Sequence, residues 1–180
     1  MRTADEILHF WFDAHGFDDW FGGDAAFDRA IATRFAATHA AAARGEAWRW
    51  RSTARGRLAE IIVLDQFSRQ LFRGDARAFA SDGMALVLAQ EAVAGGHHHF
   101  LPMPQRLFLL MPYMHAESEA VQAESLRLFT ALGDAELMTH AQGHADCIRR
   151  FGRFPKRNAA LGRESTAEER DYIAGNEGMY

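Results

Sequence analysis

The chain has 180 residues, of which 48% are hydrophobic and 24% are charged, and its formal net charge is −4. These proportions are typical of a globular protein, and the acidic balance argues against a general nucleic-acid binder. The single cysteine, Cys147, excludes an intrachain disulfide and fits a reducing compartment. The N-terminus has no apolar run long enough for a signal peptide or a membrane span, so we expect a cytoplasmic protein without membrane contact.

Helical signals follow one another along the chain, and no alternating strand pattern interrupts them. Thr3 and Glu6 form a capping-box pattern before the first helix, and the stretch GFDDWFGG at 16–23 is expected to end it. Further helices are predicted over 24–44, 57–72, 76–94, 104–113, 118–132 and 135–151, and a last one from about Thr166. The sequence therefore predicts one all-α domain, 1–180, of about eight helices in antiparallel pairs.

The helix predicted over 57–72 is apolar around most of its circumference, which is typical of a buried helix. Against this background Asp65, Arg69 and Arg73 recur every four residues along one stripe, and Gln66 lies beside them. Burying these charges without partners would be costly. The stripe is therefore either an ion-pair ladder between helices or one wall of a pocket in which Arg69 or Arg73 binds an anion.

The segment CIRRFGRFPKRNAALGRES, residues 147–165, gathers six basic residues and has no acid before its penultimate position. Its first glycine permits the positive φ that ends a helix, and the proline prevents the helix from resuming. A helix dipole favours arginines in the last helical turn, but Arg153 and Arg157 lie beyond that turn. We expect these two arginines, with the turn-forming Asn158, to form part of a site for an anion.

Two further groups of polar residues could carry chemistry. The stretch MPYMHAESE places His115 and Glu117 at a helix junction, and His115 titrates near neutral pH, so it could serve as an acid–base group. His140 and His144 lie one helical turn apart, with Cys147 on the same face. That spacing is compatible with metal binding, but the segment lacks the glutamate of a zincin, and we expect neither a metal nor another cofactor.

A second basic segment, RGEAWRWRSTARGR, places Trp48 and Trp50 between arginines. Interleaved basic and aromatic residues can bind nucleic acid. The acidic net charge favours a different interpretation, in which both tryptophans pack inward and the arginines stay solvated. We therefore do not expect nucleic acid as a partner.

Three long motifs in this chain resemble those of a bacterial family known as domain-of-unknown-function family number 924. They are VLDQFSRQLFRGDARAFASD, LLMPYMHAESEAVQ and IRRFGRFPKRNAALGREST, and the N-terminal ILHFWF and WFGG fit as well. The resemblance covers nearly the whole chain and implies a tetratricopeptide-like, all-helical fold, but no biochemical activity.

Four positions depart from the family pattern. They are Ser68 in place of proline, Gln70 in place of asparagine, Ala116 in place of serine and Lys156 in place of histidine. A general-base role of the family histidine would be lost in this chain. An electrostatic role would survive, because lysine is cationic at neutral pH.

These observations favour a binding module with one polar cavity for a small anion, such as a phosphate or carboxylate metabolite. Its predicted lining comes from segments that are distant in sequence: Asp65, Gln66, Arg69, Arg73, His115, Glu117, Arg153, Arg157 and Asn158. One alternative is an enzyme that acts on an anionic metabolite with His115 as the acid–base group. Another is a scaffold that binds a protein partner, as folds built from helical pairs often do.

Overall fold

Every regular element within residues 1–175, the part of the chain that this computed structural model describes, is a helix. The helices are α1 (Ala4–Leu8), α2 (Phe17–Phe21), α3 (Ala25–Ala43), α4 (Ala54–Ile61), α5 (Ser68–Leu71), α6 (Asp82–Ala94), α7 (Gln105–Met114), α8 (Glu119–Thr130), α9 (Ala135–Phe151) and α10 (Ala167–Gly175). The prediction of an all-α protein is confirmed, and the tetratricopeptide-like arrangement stays a prediction.

Segments of tighter or wider helix connect or extend these elements. Helix α1 continues as a π-helix over His9–Asp13, and a second π-helical segment, Ile62–Phe67, joins α4 to α5. Single 3₁₀ turns cover Trp48–Ser52, Ala76–Ala78, His97–Phe100 and Pro155–Arg157. Wide π-turns are rare and are often found at functional sites, and the second one carries Asp65 and Gln66.

The chain divides into two compact units. The first comprises Met1–Arg73 and Arg77–Pro112, and the second comprises Gly74–Ala76 and the chain from Tyr113 onward. The expectation of a single domain over 1–180 stays a prediction. No helix within residues 1–175 has the length and apolar character needed to cross a membrane.

Capping signals in the sequence mark the two ends of the described chain correctly. At α1, the backbone N–H of Thr3 donates to the Glu6 carboxylate at 2.8 Å, and the backbone N–H of Glu6 donates to the Thr3 hydroxyl at 3.2 Å. Thr166 and Glu169 repeat this reciprocal pair at α10, with distances of 2.8 and 3.1 Å. Gly152 ends α9 with φ of 69°, as predicted.

One short helix is missing from the predictions, and two predicted helix starts are wrong. The stretch at 16–23 does not merely end the first helix, because Phe17–Phe21 forms α2, with the Asp19 carboxylate accepting from the N–H of Gly16 at 3.3 Å. The helix predicted from 57 begins at Ala54, where the Thr53 hydroxyl accepts from the Gly56 N–H at 3.0 Å. The helix predicted from 76 begins at 82, because a separate 3₁₀ turn occupies the preceding residues.

The inward packing predicted for the two tryptophans fails for Trp48, whose surface is 58% exposed. The Arg49 guanidinium lies 5.0 Å from the Trp48 ring centroid, so a cation covers part of this indole in place of core side chains. Trp50 is half-buried.

Large aromatic side chains form the core of the first unit. Its fully buried rings come from the π-extension of α1, from α3, from the second π-segment and from α7: Phe10, Trp11, Phe35, Phe67 and Phe108. Ring centroids lie 5.4 Å apart for Trp11 and Phe108, and 5.2 Å apart for Phe35 and Phe67. Because Phe67 ends the π-segment, this packing fixes the segment that carries Asp65 and Gln66.

In the second unit, α8 and α9 pack against each other and are joined through Gly133, whose φ is 73°. Cys147, Ile148 and Phe154 form a smaller core, against which Phe151 and Tyr172 also pack. Phe154 follows the end of α9, so this core positions the part of the basic segment 147–165 that lies beyond α9.

A buried ion pair provides a test of this packing in the first unit. Glu60 is fully buried and accepts from Arg51 Nε at 2.7 Å and from Arg51 Nη2 at 2.6 Å. The substitution Arg51→Met leaves the carboxylate without its cation, so we expect the free energy of unfolding to fall by about 2–4 kcal/mol. Urea denaturation measures the loss. The control Arg44→Met breaks the exposed pair with Glu46 and should have no measurable effect; equal losses would contradict the role of burial.

Candidate functional site

The four residues of the stripe predicted on the helix over 57–72 lie in the first unit and are hydrogen-bonded within it. Asp65 and Gln66 are buried, with 0% and 3% of their surfaces exposed. Gln66 Nε2 donates to Asp65 Oδ2 at 2.5 Å and lies 3.8 Å from the sulfur of Met111. The π-helical turn thus directs two neighbouring polar side chains into the interior together.

Two arginines of the stripe reach carboxylates of other helices. Arg69 Nη1 lies 3.2 Å from Asp65 Oδ1 and 3.1 Å from Asp82 Oδ1. Burial opposes the charge of Arg69, but the two carboxylates outweigh it and raise its pKa. Arg73 donates from Nε and Nη2 to the two oxygens of Asp28, each at 2.9 Å. These are the contacts expected of an ion-pair ladder.

The five other predicted site residues lie in the second unit, where contacts connect the segment after α7 to the turn after α9. The backbone N–H of Phe154 donates to Glu117 Oε1 at 2.8 Å. Arg157 Nη2 donates to the main-chain oxygen of His115 at 3.0 Å. These two bonds span 37 and 42 residues, so only the tertiary structure brings the two motifs together.

A network of two arginines, two glutamates and one asparagine holds this turn, and we call Glu117, Arg163, Asn158, Arg153 and Glu169 the arginine clasp. Arg163 donates to both Glu117 oxygens, at 2.7 and 2.9 Å, and its Nε donates to Asn158 Oδ1 at 3.0 Å. Burial raises the pKa of Glu117, but the hydrogen bonds from Arg163 and Phe154 outweigh it and hold that pKa below its usual value.

The other half of the arginine clasp ties the turn to the start of α10. Arg153 donates to the two oxygens of Glu169 at 2.7 and 2.9 Å, and Asn158 Nδ2 donates to the same carboxylate at 3.3 Å. The bonds from Arg153, followed by that from the Thr166 N–H, lower the pKa of Glu169 to about 2. Arg153 therefore meets a carboxylate of its own chain.

His144 lies beside this turn, and its hydrogen bond defines which neutral tautomer the ring adopts. Its Nδ1 lies 2.8 Å from the His140 carbonyl oxygen, which only accepts, so the neutral ring carries its proton on Nδ1. Burial, assisted by the positive charges of His115 and Arg157, lowers the pKa of His144 to about 3. The ring centroids of His144 and His115 are 6.1 Å apart.

Arg157 is held on two sides in the same region. Its guanidinium carbon lies 4.6 Å from the centroid of the Phe154 ring, and one of its N–H groups donates to the His115 carbonyl. Phe154 is 5% exposed, and its ring centroid lies 5.6 Å from that of His144. A cation, a buried aromatic ring and a neutral imidazole are therefore adjacent.

The spacing of His140, His144 and Cys147 suggested a metal site as one alternative. Among residues 1–175, no three His, Cys, Asp or Glu side chains are grouped so that they could hold a metal ion. Cys147 is buried, and burial raises the pKa of its thiol, so the reactive thiolate is disfavoured.

Sequence reasoning missed the partners that organise this region. Arg163 is one of the six basic residues of the segment 147–165, and its pairing with Glu117 across 46 positions leaves no local signal. Glu169 had a signal, the capping box with Thr166, but that pattern does not reveal the bond to Arg153. The role of His115 as an acid–base group stays a prediction.

Comparison with known proteins places this arrangement in a family. Residues 7–177 match the model of a family described as bacterial protein of unknown function (DUF924). The chain belongs to this family. The resemblance of its three motifs is thereby confirmed.

A solved structure of a protein of unknown function from Agrobacterium tumefaciens is similar over nearly the whole chain. The two sequences are 42% identical, the match covers 96% of this chain and 97% of the other, and the TM-score is 0.91. No curated protein matches the chain. The solved structure thus supports the fold, while the family description assigns no activity.

The pH dependence of stability tests the assignment of His144. An unfolded histidine titrates near pH 6.5, whereas the folded His144 has a pKa of about 3, so the unfolded state binds the proton more strongly. The contribution of His144 is complete above about pH 6.5 and is lost as the pH falls toward 3. We expect a loss of about 2–3 kcal/mol between pH 6.5 and 4.5, at ~1.4 kcal/mol per pH unit.

Chemical denaturation at several pH values measures this loss. The variant His144→Asn keeps a donor for the His140 carbonyl but does not titrate, so its stability should change less over this range. The control His9→Asn alters a histidine whose side chain is 70% exposed and should keep the wild-type slope. Equal slopes in wild type and His144→Asn would contradict the buried neutral imidazole.

The arginine clasp predicts the local stability of the turn. The substitution Arg163→Met removes both bonds to Glu117, so this carboxylate should hold the Phe154 N–H less firmly. We expect the Phe154 amide to exchange its hydrogen about tenfold faster. The control Arg150→Met breaks an exposed pair with Glu168 and should leave that rate unchanged; equal rates in all three proteins would contradict the coupling.

Proposed function

We propose that the second unit binds a small anion, a phosphate or a carboxylate, at the guanidinium of Arg157 beside His115 and Lys156. The observation that carries this proposal is the double support of Arg157, by the face of Phe154 and by the carbonyl of His115. A guanidinium held in this way loses little freedom when it binds a planar or tetrahedral oxyanion.

The positive charges of Arg157 and Lys156 on this turn favour a negative ligand. Arg157 lowers the pKa of both His144 and Glu117, so its positive field reaches both side chains. His144 adds no charge at neutral pH, because its pKa of about 3 keeps it neutral. Lys156 precedes Arg157 on the same 3₁₀ turn and is half-buried. A lysine at this position, where the resembled family motif has histidine, suits an electrostatic role rather than that of a general base.

The proposal separates residues that contact the anion from residues that position them. Arg153, Glu117 and Asn158 belong to the arginine clasp and hold the turn on which Arg157 and Lys156 lie. Asp65, Gln66, Arg69 and Arg73 retain a structural role in the first unit, which their bonds to one another, to Asp82 and to Asp28 support.

Thermal denaturation in the presence of inorganic phosphate, and separately of citrate, tests the proposal. Ligand at about 100 times its dissociation constant stabilises the folded state by about 2.7 kcal/mol, which raises the melting temperature by several degrees in a domain of this size. We expect this shift in the wild type and its loss in Arg157→Gln.

The matched control is Arg149→Gln, which removes a cation from an exposed pair with Asp146 on α9. This variant should keep the wild-type shift, because a site built on Arg157 does not need it. The absence of a shift in wild type with either anion would refute anion binding. An equal shift in Arg157→Gln would locate the anion elsewhere.

A further inference from the structure

Helix α2 presents two large aromatic side chains to solvent in the first unit. Phe17 is 62% exposed and Phe21 is 48% exposed, although phenylalanine is among the residues most often buried. They lie four positions apart on one side of the helix, and their ring centroids are 4.9 Å apart. The two rings form one continuous apolar surface.

This surface stands on the rigid aromatic core rather than on a loose loop. The ring of Phe21 is stacked on that of Phe108, which is fully buried, at 6.3 Å between centroids. The ring of Trp20, the residue before Phe21, also contacts Phe108, at 4.8 Å between centroids, and its Nε1 donates to the Trp11 carbonyl at 2.8 Å. Aromatic rings that are already fixed in the free protein lose little conformational entropy on binding. Pre-ordered aromatic residues of this kind often contribute most of the binding free energy of an interface.

The surroundings of the aromatic pair are acidic. From residue 3 to residue 28 the chain has no lysine or arginine, and it has seven acidic residues. Three of them, Asp13, Asp18 and Asp24, are exposed in and around α2. We call Phe17, Phe21 and these three aspartates the acidic aromatic face.

We propose that the acidic aromatic face docks a cationic amphipathic segment of a partner protein. Its exposed rings would bury the apolar side of the segment, and the aspartates would face its lysines or arginines. The same charges repel anionic lipid headgroups and nucleic acid. A second copy of this chain, with its net charge of −4, is repelled in the same way.

Fluorescence anisotropy with labelled synthetic peptides tests the proposal on the full chain. The probe is a 14-residue helical peptide of lysine and leucine, with a lysine–serine peptide and a glutamate–leucine peptide as matched comparisons. We expect only the lysine–leucine peptide to bind, with an affinity that falls as the salt concentration rises.

The substitutions Phe17→Ser and Asp18→Lys should each weaken the binding of this peptide about tenfold. The control Glu136→Lys makes the same charge change at an exposed position of α9 and should leave the affinity within about twofold.

Several results would overturn the proposal. Equal affinities in Phe17→Ser, Asp18→Lys and Glu136→Lys would place the peptide elsewhere. Binding of the lysine–serine peptide with the same affinity would show that the aromatic rings do not contribute to binding. Binding of the glutamate–leucine peptide would show that the aspartates do not contribute. Self-association of the wild type without peptide, abolished by Phe17→Ser, would identify the occupant as a second copy.

Discussion

Carboxylates that leave water on folding must each meet hydrogen-bond donors or a cation, and in this chain the buried ones meet arginine. Glu60 meets Arg51, Asp65 meets Arg69, and Glu169 meets Arg153. Each of these carboxylates is at most 2% exposed, so losing its arginine would leave a buried charge unpaired. Local elements depend on these pairs: the turn before α4, the π-helical segment, and the start of α10.

The need to pair buried carboxylates offers a structural explanation for many of the arginines in this chain. Of the 20 basic residues, Lys156 is the sole lysine, so an arginine at a given position is by itself weak evidence for a binding role. Within each unit, arginines from such clusters turn toward carboxylates of the chain itself, as Arg73 does with Asp28 and Arg163 with Glu117. Arg157 is supported by the aromatic face of Phe154 and by the carbonyl of His115, and this double support directs attention to it.

Two buried histidines avoid the free-energy cost of burying a charge by staying neutral. Burial lowers the pKa of His39, which is 6% exposed and lies 2.7 Å from the Ser68 hydroxyl. That hydroxyl lies 2.5 Å from the Leu64 carbonyl and donates to it, so His39 is the donor to Ser68. A proline at position 68 would have no side-chain oxygen to accept this bond. In both His39 and His144, a hydrogen bond decides which nitrogen carries the proton.

The sequence by itself determined the helical class, the capping boxes at Thr3 and Thr166, and the glycine that ends α9, because each depends on neighbours within a few residues. It also located Glu117 and Arg157 as polar residues beside large apolar ones. Only the tertiary structure decided their partners, since the bond between Glu117 and Arg163 crosses 46 positions. The sequence shows how many cations a segment has. It does not show which carboxylates they meet, because those carboxylates come from other helices. The fold alone therefore decides which carboxylate each of these arginines meets.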